Sequence, residues 1–302
     1  MTFLKPDHFT LNGEEWSPGE RSVGWVYDRQ PLGLIFKDKG TERAPEIEVS
    51  VYSQRGLNED ALKAVSGEIA YRYNLTLDLS DFYKKFDNHR ALGPVIKRMY
   101  GMRPGQPSSL YEYLIIGMVL QNATVRRSKQ MYDNLIDNFG TQISFAGHTD
   151  AVIWNPGRMK QVSEDTLRAL KVGYRAKRIL KTDEQFASGE FDEQKMRSLS
   201  VDDQRNKLLS IYGVGPATTW YLLFDVFHNW DYIDHISPWE QKIYSKIFFD
   251  QDPETPIPVE KLLQHFNQFS PYKHLAVHYF WEDLWWEHKK SEAEWLKNLI
   301  RD

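Results

Sequence analysis

The pattern of apolar and polar positions changes character near residue 78. Before this point, short runs rich in β-branched residues are separated by Gly, Asn and Pro. The three runs are PLGLIFKD (31–38), IEVSVYSQ (47–54) and NLTLDLSD (74–81). Partial alternation of this kind is typical of strands in a half-buried sheet. Residues 62–74 have helical spacing instead, so we predict a β-rich region over residues 1–78 with one helix packed across its sheet.

From residue 79 onwards the apolar spacing is helical. An apolar helix is predicted over 110–120, capped by Ser108 or Ser109, and it ends at the polar break QNAT (121–124). A basic helix follows from Val125 to Gly140. The segment LRALKVGYRAKRIL (167–180) predicts one helix that ends at Gly173 and another that starts just after it.

The stretch from Lys207 to Tyr244 carries the most distinctive pattern. An apolar helix end is followed by a tight Gly213-Val214-Gly215 turn and a second helix that opens with Pro216. Proline suits a first helical position, and glycine allows positive φ and a close approach of another backbone. The turn therefore presents unpaired N–H groups at a helix N-terminus, where a phosphate oxygen can bind.

These segments together resemble the helix-hairpin-helix (HhH-GPD) DNA glycosylase superfamily. The hairpin stands here as LLSIYGVGPAT (208–218), and the GYRAK element (173–177) and the polar break (121–124) match further parts of the pattern. The pattern is closest to the 3-methyladenine DNA glycosylase II and 8-oxoguanine glycosylase branches without an iron–sulfur cluster. The resemblance implies an α+β fold, with an N-terminal antiparallel β domain followed by a mostly α-helical two-lobed body.

The resemblance also implies domain boundaries and a function. The β domain would span 1–78, one helical lobe 79–107 and 226–302, and the other lobe 108–225, with the hairpin at 207–225. The implied activity is that of a DNA N-glycosylase in base excision repair. It would flip a damaged or modified base out of double-stranded DNA into the cleft between the lobes, and hydrolyse its N-glycosidic bond. Alkylated purine is the first expectation for the base.

Three alternatives remain open from the sequence. A non-catalytic DNA-structure-binding protein on the same fold is one, and a glycosylase for bulky modified bases, such as those in phage DNA, is another. The third is a nucleoside or RNA-base hydrolase. In branches with lyase activity, a lysine at the second residue after the hairpin turn forms a Schiff base; that position is Ala217 here. We therefore expect a monofunctional enzyme.

The resemblance places a catalytic aspartate roughly two dozen residues after the hairpin. A fixed carboxylate stabilises the oxocarbenium-like charge that develops as the glycosidic bond breaks. Asp234 is the favoured residue. If the start of the next helix fixes the register, Ser237 occupies the position instead, and Asp231 is a third candidate.

The remaining candidate site residues fall into two groups. Those expected to contact DNA are Tyr212, Gly213, Gly215, Ala217 and Thr218 in the hairpin, Gln121 and Asn122 as the wedge that fills the gap of the flipped nucleotide, and Arg126, Arg127, Tyr174, Arg175 and Lys177 on the basic helices. Those that would wall the base pocket are Trp220, Tyr221, Trp239 and Tyr272.

Charge and composition refine this picture. The formal net charge is −4, yet residues 121–181 carry eleven Lys and Arg against five Asp and Glu, which favours a local DNA-binding face. Cysteine is absent, which excludes disulfides, a catalytic thiol and a Cys-ligated cluster. His274 and His278 share a helical spacing but lack the Glu of the zinc signature, so a structural pair is favoured and no metal or cofactor is expected.

The sequence supports only broad expectations about localisation and assembly. No apolar run is long enough to cross a bilayer, and the N-terminal segment MTFLKPDHFTLNG lacks the apolar core of a signal peptide. We therefore expect a cytoplasmic, nucleoid-associated protein that acts on DNA as a monomer and has no membrane partner.

Overall fold

The computed structural model describes residues 2–3, 15–41, 44–291, 294–297 and 299. Most of the N-terminal segment that was compared with signal peptides lies outside these residues. The chain divides into two compact units, Met1–Leu77 with Gly101–Glu193 and Asp78–Tyr100 with Gln194–Asp302. The sequence-based boundaries differ at the hairpin, which they group with 108–225 rather than with the C-terminal helices. The sequence-based domain boundaries therefore stay a prediction.

Strands and helices follow one another in the order expected of an α+β chain. The strands are β1 (Glu15–Ser17), β2 (Glu20–Tyr27), β3 (Gln30–Asp38), β4 (Ile47–Ser53), β5 (Thr141–Phe145) and β6 (His148–Val152). The helices are α1 (Glu59–Arg72), α2 (Ser80–Phe86), α3 (Leu92–Arg98), α4 (Leu110–Leu120), α5 (Val125–Phe139), α6 (Glu164–Ala169), α7 (Arg175–Ala187), α8 (Glu193–Met196), α9 (Val201–Leu209), α10 (Pro216–Asp225), α11 (Pro238–Phe249), α12 (Val259–Phe266), α13 (Lys273–Ser291) and α14 (Glu294–Lys297). The expected fold class, an N-terminal antiparallel sheet followed by helices, is confirmed.

The first unit is built on an antiparallel sheet with the order β1-β2-β3-β4. The predicted strands at 31–38 and 47–54 are confirmed as β3 and β4. Both faces of β3 are covered. Leu32, Leu34 and Phe36 pack with α1 on one face, and Ile35 packs with the hairpin β5–β6 on the other. The β5–β6 hairpin lies so close to β3 that a Cβ on Gly33 would lie 2.1 Å from the Phe145 ring.

The third predicted strand is wrong. Residues 74–76 form turns and 77–79 have no regular structure before α2 begins at Ser80. Asn74 adopts positive φ, which ends α1 and breaks an extended run, and its side-chain amide donates to the carbonyl of Pro104 at 2.8 Å. The alternation of Leu75, Leu77 and Leu79 therefore belongs to a connection that carries the chain into the second unit.

The second unit has an aromatic core. Phe266 and Phe269 are fully buried and pack with Phe248 and Phe280, with ring centroids 4.8–6.2 Å apart. A bidentate ion pair from Arg98 on α3 to Asp283 on α13, with N–O distances of 2.8 and 2.5 Å, ties the N-terminal helices of this unit to its longest helix. Within the described part of the chain, no helix is long and apolar enough to cross a membrane.

Candidate functional site

The hairpin in the second unit forms as the sequence predicts. Ser200 caps α9, and a turn with Val214 N donating to the carbonyl of Ile211 at 3.0 Å leads into α10. Gly213 has φ of +86°, the conformation that favours glycine. Gly215 is extended instead, and it is the N-cap residue of α10.

The N-terminus of α10 is open to a ligand. Pro216 occupies the first turn, no side-chain hydrogen bond caps the helix, and a Cβ built on Gly215 meets nothing within 4 Å. The N–H groups of Ala217 and Thr218 belong to the first turn, which has no intrahelical acceptor. Tyr212 beside them is 42% exposed. The five hairpin residues predicted to contact DNA therefore lie together at an uncapped helix end.

The carboxylate of Asp234 lies in the loop between α10 and α11, in the same unit. The hydroxyl of Tyr232 donates to its Oδ2 at 2.5 Å, and the guanidinium Nε of Arg205 on α9 lies 3.8 Å from the same oxygen. The side chain is 43% exposed. Burial, with the neighbouring Asp234 carboxylate as the next cause, raises the pKa of Tyr232 to about 12. Tyr232 thus stays a donor at every physiological pH.

Ser237 has a structural role. It is the N-cap of α11 and forms a capping box: its Oγ accepts from the N–H of Glu240 at 3.3 Å, and its own N–H donates to Glu240 Oε2 at 3.0 Å. Asp231, the third catalytic candidate, accepts from the N–H of Lys273 at 3.0 Å and from the hydroxyl of Ser270 at 3.0 Å. Both residues are therefore engaged in fixing helix ends.

The loop that carries Asp234 is attached to the start of α13. The carbonyl of Trp230 accepts from the N–H groups of His274 and Leu275 at 2.9 and 3.1 Å. The ring Nδ1 of His274 lies 2.9 Å from the carbonyl of Tyr232 and must carry the proton, because a carbonyl only accepts. Burial holds the pKa of His274 well below its usual value, so the ring is neutral. In this loop His274 therefore anchors the backbone of Tyr232.

The predicted wedge lies in the first unit, at the break between α4 and α5. Asn122 has φ of +50°, and its side-chain amide donates to the Tyr174 hydroxyl at 3.2 Å. Gln121 accepts from the guanidinium of Arg178 through its side-chain oxygen. The Tyr174 ring is 45% exposed and lies beneath the guanidinium carbon of Arg178 at 5.3 Å. The structure therefore brings Gln121, Asn122 and Tyr174 to one surface.

The structure corrects the expectation for Arg175. This residue is 6% exposed, and its guanidinium donates to the carbonyl of Met118 at 2.8 Å and to the carbonyl of Gln121. Those carbonyls belong to the last turn of α4 and the residue after it, where intrahelical donors are lacking. Arg175 is therefore committed to holding the break between α4 and α5 in place, rather than being available to a phosphate.

The other basic candidates of this unit are exposed. Arg126, Arg127 and Lys177 are accessible side chains at the start of α5 and in α7. Arg127 donates to the carbonyl of Lys171 at 2.7 Å, which joins the start of α5 to the segment before α7. A cationic surface next to the wedge residues is thus present, as the charge count indicated.

The aromatic candidates for a base pocket do not share one environment. Trp220 is 2% exposed and stacks on His274 with centroids 4.5 Å apart, so its assignment to a pocket wall is wrong and it is a core residue. Tyr221 is partly exposed and donates to Glu240 at 2.7 Å, and Trp239 donates to the carbonyl of Leu299 at 2.6 Å. Tyr272 is half-buried, edge-on to Phe82. The pocket role of these three stays a prediction.

Sequence reasoning missed the residues that hold Asp234. Tyr232 precedes it by two positions, and residues two apart in an extended chain lie on the same side, so the spacing contained a usable signal. Nothing in the sequence pointed to Arg205, whose proximity arises from the folding of α9 against the loop. Among the described residues, no three His, Asp or Glu side chains are grouped to hold a metal ion.

Comparison with known proteins places this geometry in a context. No protein-family model matches the chain. A probable N-glycosylase/DNA lyase from Methanothermobacter thermautotrophicus is 23% identical over 234 residues, which are 71% of this chain and 74% of that protein.

Two solved structures share the fold. One is MBOgg1 in complex with a low-affinity DNA ligand, with a TM-score of 0.71, 20% identity and coverage of 94% of this chain and 93% of that chain. The other is the 3-methyladenine DNA glycosylase from Archaeoglobus fulgidus, with a TM-score of 0.70, 13% identity and coverage of 92% and 90%. The resemblance to the helix-hairpin-helix DNA glycosylases, first carried by the hairpin and GYRAK motifs, is confirmed at the level of the fold.

Proposed function

We propose that this protein is a DNA N-glycosylase that binds double-stranded DNA and excises a damaged or modified base. The observation that carries the proposal is the pairing, within one unit, of an uncapped hairpin end with the Asp234 carboxylate in the loop after α10. The first feature suits a phosphate, and the second suits the positive charge that develops on a deoxyribose. The names of the similar proteins support the same activity.

The proposed reaction is hydrolysis. A water oxygen bonds to C1′ of the flipped nucleotide while the bond from C1′ to the base nitrogen breaks and the base takes the electron pair. Asp234 stabilises the cationic sugar and accepts one proton of the attacking water, which it then passes to solvent. An N-alkylated purine carries a positive charge on its ring, so it leaves as a neutral base once it takes the electron pair. The products are the free base and an abasic site, and no cofactor enters the balance.

We further propose that the enzyme is monofunctional. Ala217 follows the hairpin turn at the position where the resemblance would require a lysine for Schiff-base chemistry. The relative from Methanothermobacter is named as a lyase, so this point needs its own test. Treatment with borohydride during the reaction traps a Schiff base as a covalent protein–DNA adduct, and we expect none.

Alkylated purine is the proposed base, by analogy with the 3-methyladenine glycosylase that shares the fold. The test is incubation with duplexes that each carry one modified base, including methylated and oxidised purines and bulky pyrimidines. Alkali then converts abasic sites into strand breaks. We expect breaks after alkali and none before it. Preferred release of an oxidised purine would support an 8-oxoguanine glycosylase instead. Release of a bulky base would support the alternative of a glycosylase for bulky modified bases, such as those in phage DNA.

A non-catalytic DNA-structure-binding protein is the second candidate. It is favoured by one observation, that Ser237 and not an aspartate caps α11. Binding to abasic-site duplexes without base release from any member of the panel would establish it. Under either proposal we expect a monomer associated with the nucleoid, which sedimentation with and without a DNA duplex can test.

A further inference from the structure

The two contacts of Asp234 converge on one oxygen. The Tyr232 hydroxyl and the Arg205 guanidinium both approach Oδ2, at 2.5 and 3.8 Å. An exposed aspartate otherwise samples several rotamers, because water can form hydrogen bonds with its carboxylate equally well in each of them. One hydrogen bond and one nearby positive charge on the same oxygen favour one orientation, which leaves Oδ1 as the oxygen available to a substrate.

The donors themselves are held in place. The backbone of Tyr232 is fixed by His274, and the neighbouring Asp231 is fixed by the N–H of Lys273. Arg205 projects from α9, the helix that leads into the hairpin. Next to it, Gln204 accepts from the side-chain amide of Asn229 at 2.9 Å, a second tie between α9 and the loop. The carboxylate is thus connected to both α9 and α13.

We propose that Tyr232 and Arg205 are positioning residues that orient the Asp234 carboxylate for glycosidic bond cleavage. The proposal rests on the function proposed above. Hydrogen bonds to charged groups are the stronger class, so the bond from the Tyr232 hydroxyl is the main constraint on the carboxylate. Neither positioning residue needs to touch the DNA for this role.

The test compares Tyr232→Phe, Arg205→Gln and Arg205→Lys with the wild type. The probe is duplex DNA methylated with dimethyl sulfate, and the readouts are the single-turnover rate at which methylated purines are released and the affinity for an abasic-site duplex. We expect Tyr232→Phe to slow release on the order of tenfold to a hundredfold, while its affinity for the abasic-site duplex stays that of the wild type. Arg205→Lys should recover part of the rate that Arg205→Gln loses.

Asp231→Asn is the matched control, because it weakens the attachment of the same loop without touching Asp234. We expect it to lower the unfolding temperature more than Tyr232→Phe does and to slow release less. A release rate in Tyr232→Phe equal to that of the wild type, or a loss of rate in Asp231→Asn as large as that in Tyr232→Phe, would overturn the positioning role. A Tyr232→Phe protein without native circular dichroism would do so too, since the hydroxyl would then serve the fold.

The outcome separates this inference from the function on which it rests. If the wild type releases no base from methylated DNA or from the duplex panel, the proposed function fails and the inference falls with it. If the wild type is active and Asp234→Asn is not, while Tyr232→Phe releases base as fast as the wild type, only the positioning role is refuted.

Discussion

Asp234 is held by its neighbours and remains accessible, a combination that a catalytic carboxylate needs. Its Oδ2 accepts from Tyr232, and 43% of the side chain is exposed. Ser237 has the opposite character, since both its side chain and its N–H are engaged in the capping box with Glu240. These environments favour Asp234 as the residue that meets the sugar.

Substitution of the two residues should therefore give opposite results. Asp234→Asn removes the charge while it nearly conserves the shape, so lesion binding should survive and base release should fall on the order of a hundredfold to a thousandfold. Ser237→Ala removes a helix cap and should cost roughly 1 kcal/mol of stability, with release little changed. Single-turnover release, with circular dichroism as the check on folding, measures both. A fully active Asp234→Asn protein would contradict the assignment.

At this scale the sequence names candidate residues but not the environment of each one. Asp234 is a candidate because the family resemblance implies an aspartate after the hairpin, and the hairpin residues are candidates because of the GxG turn. Arg175 and Trp220 were misplaced, because residue type alone does not tell which way a long side chain turns. Arg175 turns inward to satisfy carbonyls at the end of α4, and Trp220 turns inward to stack on His274. Both contacts depend on elements distant in the chain.

The hairpin is the element that should hold DNA. Gly215→Val places a branched side chain at an open N-cap where no protein atom lies within 4 Å, so the fold should tolerate it. The new side chain should obstruct a phosphate at the first turn of α10, and binding should weaken alike for all DNA sequences. Fluorescence anisotropy with an abasic-site duplex and an undamaged duplex measures the change in affinity.

Gly56→Val is the control for that substitution, because Gly56 is equally open but lies in the connection between β4 and α1. It should leave the affinity unchanged. If Gly215→Val also binds both duplexes as tightly as the wild type does, the hairpin end is not a phosphate contact.

The basic surface of the first unit makes a separate prediction. Replacement of Arg126, Arg127 and Lys177 by Gln should reduce the salt dependence of DNA binding by about one unit of logarithmic slope for each phosphate that the variant no longer neutralises. Arg175 is left unchanged, because its replacement would leave the carbonyl groups of Met118 and Gln121 without their hydrogen-bond donor. The matched control replaces Lys37, Lys39 and Lys63, which lie on the β-rich region. Equal slopes for the two triple variants would identify the basic surface as an ordinary solvated face.

Helices with a long, regular pattern of apolar residues were predicted well, whereas short strands were not. The cap at Ser109 and the break at 121–124 followed from local residue types. The hairpin β5–β6 gave no signal that we recognised, because only alternate residues such as Ile143 and Phe145 face the sheet and each strand has five residues. In residues 74–81 apolar and polar residues alternate as they do in a strand, but the segment pairs with none of the strands β1–β6. An extended segment without a neighbouring strand is not stable as β-structure.

For the molecule as a whole, one half-buried carboxyl group, that of Glu112, should make the stability fall as the pH rises. Glu112 lies in the first turn of α4, in the unit where Arg72 pairs with Glu68 at 2.7 Å and with Glu193 at 3.2 Å. Burial raises the pKa of Glu112 from 4.5 to about 7, although the Arg72 charge opposes the shift. Hydrogen bonds from the Ser109 backbone and the Ser108 side chain also oppose the shift, and burial outweighs them.

A carboxyl group whose pKa is higher in the folded than in the unfolded chain binds its proton more tightly when folded. Its contribution to stability is fully present below about pH 4.5 and is lost as the pH rises through about 7. Glu112→Gln keeps the shape and cannot ionise, so it should be more stable than the wild type by on the order of 2 kcal/mol at pH 8 and nearly equal at pH 4.5. Urea denaturation followed by circular dichroism at the two pH values measures the difference. Glu48→Gln, at an exposed position of β4, should show no such dependence. A Glu112→Gln protein whose stability relative to the wild type is the same at both pH values would mean that Glu112 is charged in the native state.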